Sequence, residues 1–211
     1  MARTIGSDGK TTAKAIREQS LKLFAQRGYA AVSMRQIAEA VGIQASGLYQ
    51  YFNTKQQMLF DVMLNHMQEL LAAWEESKCP DDPAEALEHF TRFHISFHLT
   101  RPDAVFVSYM ELRSLEPAEF EAIETLRRRY ENILRDILKR GARQGLFAID
   151  DPHVSAMAIL AMITGVNTWY RSGGRLSQNK IRDLYVTMVL GSVGLASPSN
   201  NATLNSTWKP G

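Results

Sequence analysis

Gln44, Ser46, Gly47 and Gln50 fall away from an apolar stripe made by Ala45, Leu48 and Phe52, with Tyr49 at the edge of that stripe. A side-chain amide offers a donor and an acceptor side by side and pairs best with adenine in the major groove, while serine and glycine permit close approach. This is the chemistry of base recognition, with Gln44 and Gln50 as the base readers. It requires a rigid element that carries those side chains into a groove.

The flanking residues supply one. Ser33 followed three positions later by Gln36 is a capping box, and Met34, Ile37, Ala38 and Val41 recur at i, i+3, i+4 and i+7 on one helical face. Gly42 can take the left-handed conformation that ends a helix, and a second short apolar face begins at Ala45. Helices of about two turns do not hold in water by themselves. Both need a third, and the spacing of Ile16, Ser20, Leu23 and Phe24, closed by Gly28, predicts it over Thr12 to Arg27.

The run Leu23-Phe24-Ala25-Gln26-Arg27-Gly28-Tyr29, then Ser33 to Ala38, Gly42-Ile43 and Leu48-Tyr49-Gln50-Tyr51-Phe52-Asn53-Thr54-Lys55, resembles the amino-terminal part of tetracycline-repressor (TetR) family regulators. The resemblance implies an all-α protein of about nine helices that acts as a homodimer on a near-palindromic DNA operator, usually as a repressor relieved by a small molecule. It also implies that Tyr49 and Lys55 hold phosphates. The candidate DNA-facing set is Ser33, Arg35, Gln44, Ala45, Ser46, Gly47, Tyr49, Gln50 and Lys55. Many family members carry Lys-Gly where this chain has Ala45-Ser46, so one common contact is missing and the operator sequence stays open.

Charge follows the same division. The first 60 residues hold eight Lys or Arg against three acids; with 24 and 22 in the whole chain, the remainder holds 16 against 19. The positive end is the end expected to meet phosphates. A chain that is 45% hydrophobic and 22% charged is ordinary for a globular protein, which argues against disorder throughout. The single Cys79 excludes an intrachain disulfide framework and suits a reducing cytoplasm. The start of the chain is polar from Ala2 to Lys14, unlike a signal peptide, and the apolar run Met157 to Val166 is too short for a bilayer. The expected location is cytoplasmic, with no membrane partner and no cofactor.

Downstream, Thr54 with Gln57 caps a long helix that carries Leu59, Val62, Met63, His66, Leu70 and Trp74 on one side, up to the break at Cys79-Pro80. Further helices are expected over about 84–100, 103–115, 118–144, 152–171 and 178–194. The domain expectation is 1–53 for the helix-turn-helix, 54–196 for effector binding and dimerisation, and 197–211 as a disordered tail rich in Ser, Asn, Thr and Pro.

Phe90, Phe93, His94, Phe97, Phe106, Tyr109, Met110, Met162, Asn167, Trp169, Tyr170 and Arg171 form an aromatic and methionine set with a few polar partners. Such a set fits either a packed core or an apolar effector pocket, and the family resemblance favours the pocket. The segment Asn167 to Ser177 resembles a subgroup controlling acyl-chain, lipid or steroid catabolism in response to acyl-coenzyme A, which implies that Arg171 and Arg175 meet phosphates. Two helices are apolar over more than one narrow stripe, Ile159, Met162, Ile163 and Val166 in the first and Ile181, Leu184, Tyr185, Met188 and Val189 in the second. By resemblance this pair makes the dimer interface. Two rival readings stay open: a helical metal-binding protein or enzyme using His94, His98 and nearby carboxylates, and a regulator that activates or ignores ligands. No Gly-rich phosphate loop, nucleophile elbow or Cys/His set of catalytic spacing supports an enzyme.

Overall fold

The computed structural model describes residues 7–195, and the predicted tail 197–211 lies outside them. Those residues form α-helices and one 3-10 turn, with no strand among them: α1 (Ser7–Arg27), α2 (Met34–Val41), α3 (Ala45–Leu48), α4 (Lys55–Glu76), α5 (Pro83–Leu99), α6 (Pro102–Met110), the 3-10 turn Leu112–Ser114, α7 (Pro117–Arg143), α8 (Pro152–Thr164), α9 (Val166–Trp169) and α10 (Gln178–Ser192). The helix expected over 152–171 is broken at Gly165, where the backbone loses the stabilisation a side chain gives a helix interior. Counted as one interrupted helix, α8 and α9 bring the described total to nine.

The chain divides into two compact units, 1–78 with 97–130, and 79–96 with 131–211. In the first, α1 packs against α2, α4 and α6, and α4 also meets α6. Ile16, Ser20, Leu23 and Phe24 of α1 are buried, as are Ile37, Ala38, Leu48 and Phe52 around the short helices. Thr54 Oγ1 accepts from Gln57 N at 3.1 Å, the predicted cap of α4, while Gln57 Oε1 accepts from Asn53 N, one residue before the cap, at 3.0 Å. All six of its predicted inward residues, Leu59, Val62, Met63, His66, Leu70 and Trp74, are buried.

The segment expected as one helix over 103–115 stops at Met110. Glu111 leaves the helical region and spends its carboxylate on Tyr29 N at 2.9 Å and Ser114 Oγ at 3.2 Å. Gln56 then donates to Ser114 O at 2.7 Å.

In the second unit, α7 turns back where Phe147 folds over Gly141, at which a Cβ would stand 2.1 Å from the ring. Ala148 N bonds Val193 O at 2.9 Å, Arg92 joins Glu88 at 2.8 Å and Asp183 at 2.6 Å, and Arg182 donates to Ser96 Oγ at 2.7 Å. Cys79 is half-buried, and burial pushes its thiol up, with Asp81 adding to and Arg140 opposing that shift. A thiol held protonated is a poor nucleophile.

His66 is the titratable group in the α4 core. Its ring lies 5.9 Å from both Phe97 and His98, and burial, then the charges of Arg101 and Arg127, lower its pKa from 6.5 to about 4. The unfolded chain therefore binds this proton at a higher pH than the folded one. The stability it withholds from the unfolded state is intact above about pH 6.5 and is lost as pH falls toward 4, to a total of roughly 3 kcal/mol. Urea unfolding of the full chain across that window should show a steep loss that a His66→Leu variant lacks; parallel pH profiles for the two proteins would contradict the assignment.

Candidate nucleic-acid interface and effector site

The α2-turn-α3 segment is built by its caps. Ser33 Oγ accepts from Gln36 N at 3.3 Å while Gln36 Oε1 accepts from Ser33 N at 2.8 Å. At the other end Gly42 takes φ 76°, a conformation costly for other residues, and Ile43 N reaches back to Ala38 O at 3.0 Å. The second helix is a single turn, Ala45–Leu48, held through buried Leu48.

Ser33, Arg35, Gln44, Ser46, Tyr49 and Gln50 are all exposed, and Ala45 and Gly47 are half-buried. Gln44 stands at the α3 N-cap position without a side-chain capping bond, so its amide remains available. A Cβ added at Gly47 would meet nothing within 4 Å. No internal contact demands glycine there, although glycine inside a helix costs up to about 1 kcal/mol relative to alanine.

Lys55, expected to hold a phosphate, is turned inward. Its Nζ donates to Tyr29 O at 2.8 Å, Ala30 O at 3.3 Å and Val32 O at 2.7 Å, and lies 4.3 Å over the Tyr29 ring. Three bonds use all the donors an ammonium has. Sequence spacing could not show this, because the acceptors lie 23 to 26 residues away.

The candidate effector residues divide between the units. Phe97, Phe106, Tyr109 and Met110 belong to the first; Phe90, Phe93, His94, Met162, Asn167, Trp169, Tyr170 and Arg171 belong to the second. Phe106, Tyr109 and Met110 are 46, 55 and 64% exposed, because α6 buries Ala104, Val105, Val107 and Ser108 on its other side. Arg127 covers Tyr109 at 4.9 Å. In the second unit Phe90 stacks on His94, whose Nε2 lies 3.0 Å from Thr164 Oγ1. Asn167 donates to Thr164 O at 3.2 Å and keeps a buried Oδ1 without a partner.

Beyond α9, Trp169, Tyr170, Arg171, Gly174, Arg175 and Leu176 line an open cavity of about 280 Å³. Trp169 is half exposed and stacks on Tyr185 at 6.5 Å. The Arg171 guanidinium bonds the backbone carbonyls Tyr170 O at 2.9 Å and Thr168 O at 3.5 Å, and among the described residues neither it nor Arg175 has an acidic partner.

Ile159, Ile163 and Val166, expected at a dimer interface, are 3% or less exposed inside their own chain and cannot also form its outer surface. Met162, Leu184 and Tyr185 are half-buried and Met188 is 50% exposed. Val154, 61% exposed, and exposed Ala158 and Ala161 extend an outward stripe along α8 that the apolar pattern did not separate from the core stripe.

The metal reading finds little geometry. His94 faces Thr164 in one unit while His98 packs edge-on against His66 in the other, and no cluster of three or more His, Cys, Asp or Glu among the described residues has a metal-holding arrangement. No helix of the described residues is long and apolar enough to cross a membrane.

Comparison with known proteins agrees with this geometry. Residues 16–62 match the family model described as bacterial regulatory proteins, tetR family, and residues 80–193 match that of the tetracyclin repressor-like C-terminal domain. The HTH-type transcriptional repressor KstR2 of Rhodococcus jostii is 28% identical over 200 residues, covering 93% of this chain and 96% of that protein. A bacterial regulatory protein in the tetR family from Rhodococcus RHA1 superposes with a TM-score of 0.83 at 28% identity, over 88% of this chain and 98% of the other. AibR, solved with isovaleryl coenzyme A and operator DNA, gives 0.75 at 29% identity, over 84% and 97%. With both halves matched and the helix-turn-helix in place, the chain belongs to the TetR family of transcriptional regulators.

Proposed function

We propose that this regulator is a repressor that binds a near-palindromic operator as a homodimer and leaves it when an acyl-coenzyme A occupies the second unit. The division of labour is 1–53 for DNA and 54–196 for effector and partner. The observation that carries the DNA reading is the α3 face, where free amides at Gln44 and Gln50 flank a glycine over open space. Lys55→Ala should lower the melting temperature of the free protein, since it strips three carbonyls of their donor. Gly47→Ala should leave that temperature unchanged or raise it, yet weaken operator binding; a Gly47→Ala protein that binds like wild type would mean that DNA does not approach this helix.

The dimer is assigned to the outward stripes of α8 and α10, with a two-fold axis matching the two half-sites. Met188→Glu should give a folded monomer with much weaker operator binding, read by sedimentation and fluorescence anisotropy. Ile163→Glu should unfold the protomer, because Ile163 is fully buried. A dimeric Met188→Glu protein would move the interface away from α10.

For the effector, a half-exposed indole beside two arginines without acidic partners suits a nucleotide's base and phosphates. The co-crystallised isovaleryl coenzyme A of AibR supports the same class. Arg171→Ala with Arg175→Ala should weaken acyl-coenzyme A binding in calorimetry and raise the concentration needed to release operator by the same factor, as linkage requires. Unchanged binding in that variant would place the effector elsewhere.

A further inference from the structure

α6 begins without a cap. Pro102 at its first position has no N–H, Arg101 before it makes no side-chain capping bond, and Val105 N is the first amide to reach a helical acceptor, Arg101 O at 3.1 Å. The amides of Asp103 and Ala104 thus lack an acceptor within the helix. Both residues line a cavity of about 440 Å³ in the first unit, whose other walls come from α1 and α4. His66 lines the same cavity from α4, is only 5% exposed, and has a buried Nδ1 with no hydrogen-bond partner. A buried ring nitrogen left unpaired carries the uncompensated cost of its lost hydration.

The charges sort the ligand's chemistry. Three carboxylates line the cavity, Glu18, Glu69 and Asp103, of which Glu69 accepts from Asn65 at 2.8 Å and faces Arg101 at 3.4 Å; Asp61, outside the lining, holds Arg17 through two nitrogens. Of the cations, Lys14, well exposed, meets Glu18 only at 3.9 Å, whereas Arg101 faces Glu69 at 3.4 Å, donates to Thr100 Oγ1 at 3.0 Å and Phe97 O at 3.4 Å, and lies 3.9 Å over the Phe97 ring with its charge only partly offset. Burial lowers the basicity of His66 most, and the positive charges of Arg101 and Arg127 lower it further. A helix start with unpaired amides adds the same sign.

We propose that this cavity binds a small organic carboxylate, whose oxygens meet the Asp103 and Ala104 amides and the His66 ring, with Arg101 and Lys14 as counter-charges. The site lies apart from the Trp169 cavity and takes a different class of molecule. Its walls are α1, α4 and the start of α6, so an occupant braces the helix on which α2 and α3 rest. Asp103 opposes binding, because its own carboxylate stands in the first turn of α6 and competes for the same amides.

The test uses the full chain with butyrate, succinate and benzoate as sodium salts, against sodium chloride at matched ionic strength. The readout is the His66 ring resonance, identified by its absence in His66→Gln. At least one of the three should give a saturable shift there while Trp169 indole signals stay in place. Lys14→Ala should weaken that binding several-fold, Arg101→Gln about tenfold, and Asp103→Asn should tighten it. Lys14 and Asp103 are exposed or half-buried, so these variants keep the fold and the comparison stands even if Arg101→Gln does not. No saturable shift with any of the three salts, or affinities indifferent to Lys14 and Asp103, would overturn the site. Neither result touches the DNA or acyl-coenzyme A readings, whose probes and variants are different.

Discussion

A lysine at the start of a helix stands against the helix dipole, at a cost of about 0.3–1 kcal/mol. Lys55 occupies that position in α4 and is nonetheless held there, because its ammonium satisfies three carbonyls of the loop between α1 and α2. A hydrogen bond to a charged group contributes about 1.5–3 kcal/mol, so three of them outweigh the unfavourable dipole several times over. This one contact fixes where α1 ends, where α2 begins and where α4 starts. The orientation of the α3 face follows from all three.

The same loop is tied to the end of α6. Tyr29 gives its amide to Glu111 and its hydroxyl to Gln56 Oε1 at 2.7 Å, while Gln56 gives its own amide to Ser114 O. A displacement of the α6 end therefore reaches the DNA-binding helices through Tyr29 without passing along α4. Coupling of about 1–3 kcal/mol between sites is comparable with making or breaking one or two such bonds. The long α4 helix and the Tyr29 contacts are two routes by which an effector-induced movement can alter the spacing of the recognition helices. They share Gln56, in the first turn of α4.

What could be read in the sequence was local. The capping box at Ser33, the Thr54 cap, the left-handed Gly42 and the inward stripe of α4 depend on residues within a few positions of each other, and each stands as its spacing requires. Lys55 was assigned outward because neighbours in sequence say nothing of carbonyls on another helix end. α8 is apolar nearly all round, so periodicity could not divide Ile159 and Ile163, which are buried, from Val154, which is exposed. The aromatic residues of α6 look the same in sequence whether they face inward or outward, and Phe106 and Tyr109 face outward.

Lys55 has its three donors committed to the loop, and on the proposed DNA reading phosphate neutralisation falls to other groups. On the described surface near α3 these are the exposed Arg35, the Tyr49 hydroxyl and the amides that open α2 and α3. Each cation that pairs with a phosphate steepens the salt dependence by somewhat less than one unit, whereas a hydroxyl or a backbone amide adds almost nothing to it. Ala45 and Ser46 occupy positions where related chains often carry Lys-Gly, which removes a further cation from the interface. On that reading, a recognition helix so short of charge would derive its binding from close approach and hydrogen bonds more than from counterion release. Specificity would then depend on how firmly the loop holds α3 at its angle, and three of the bonds that hold that loop come from Lys55.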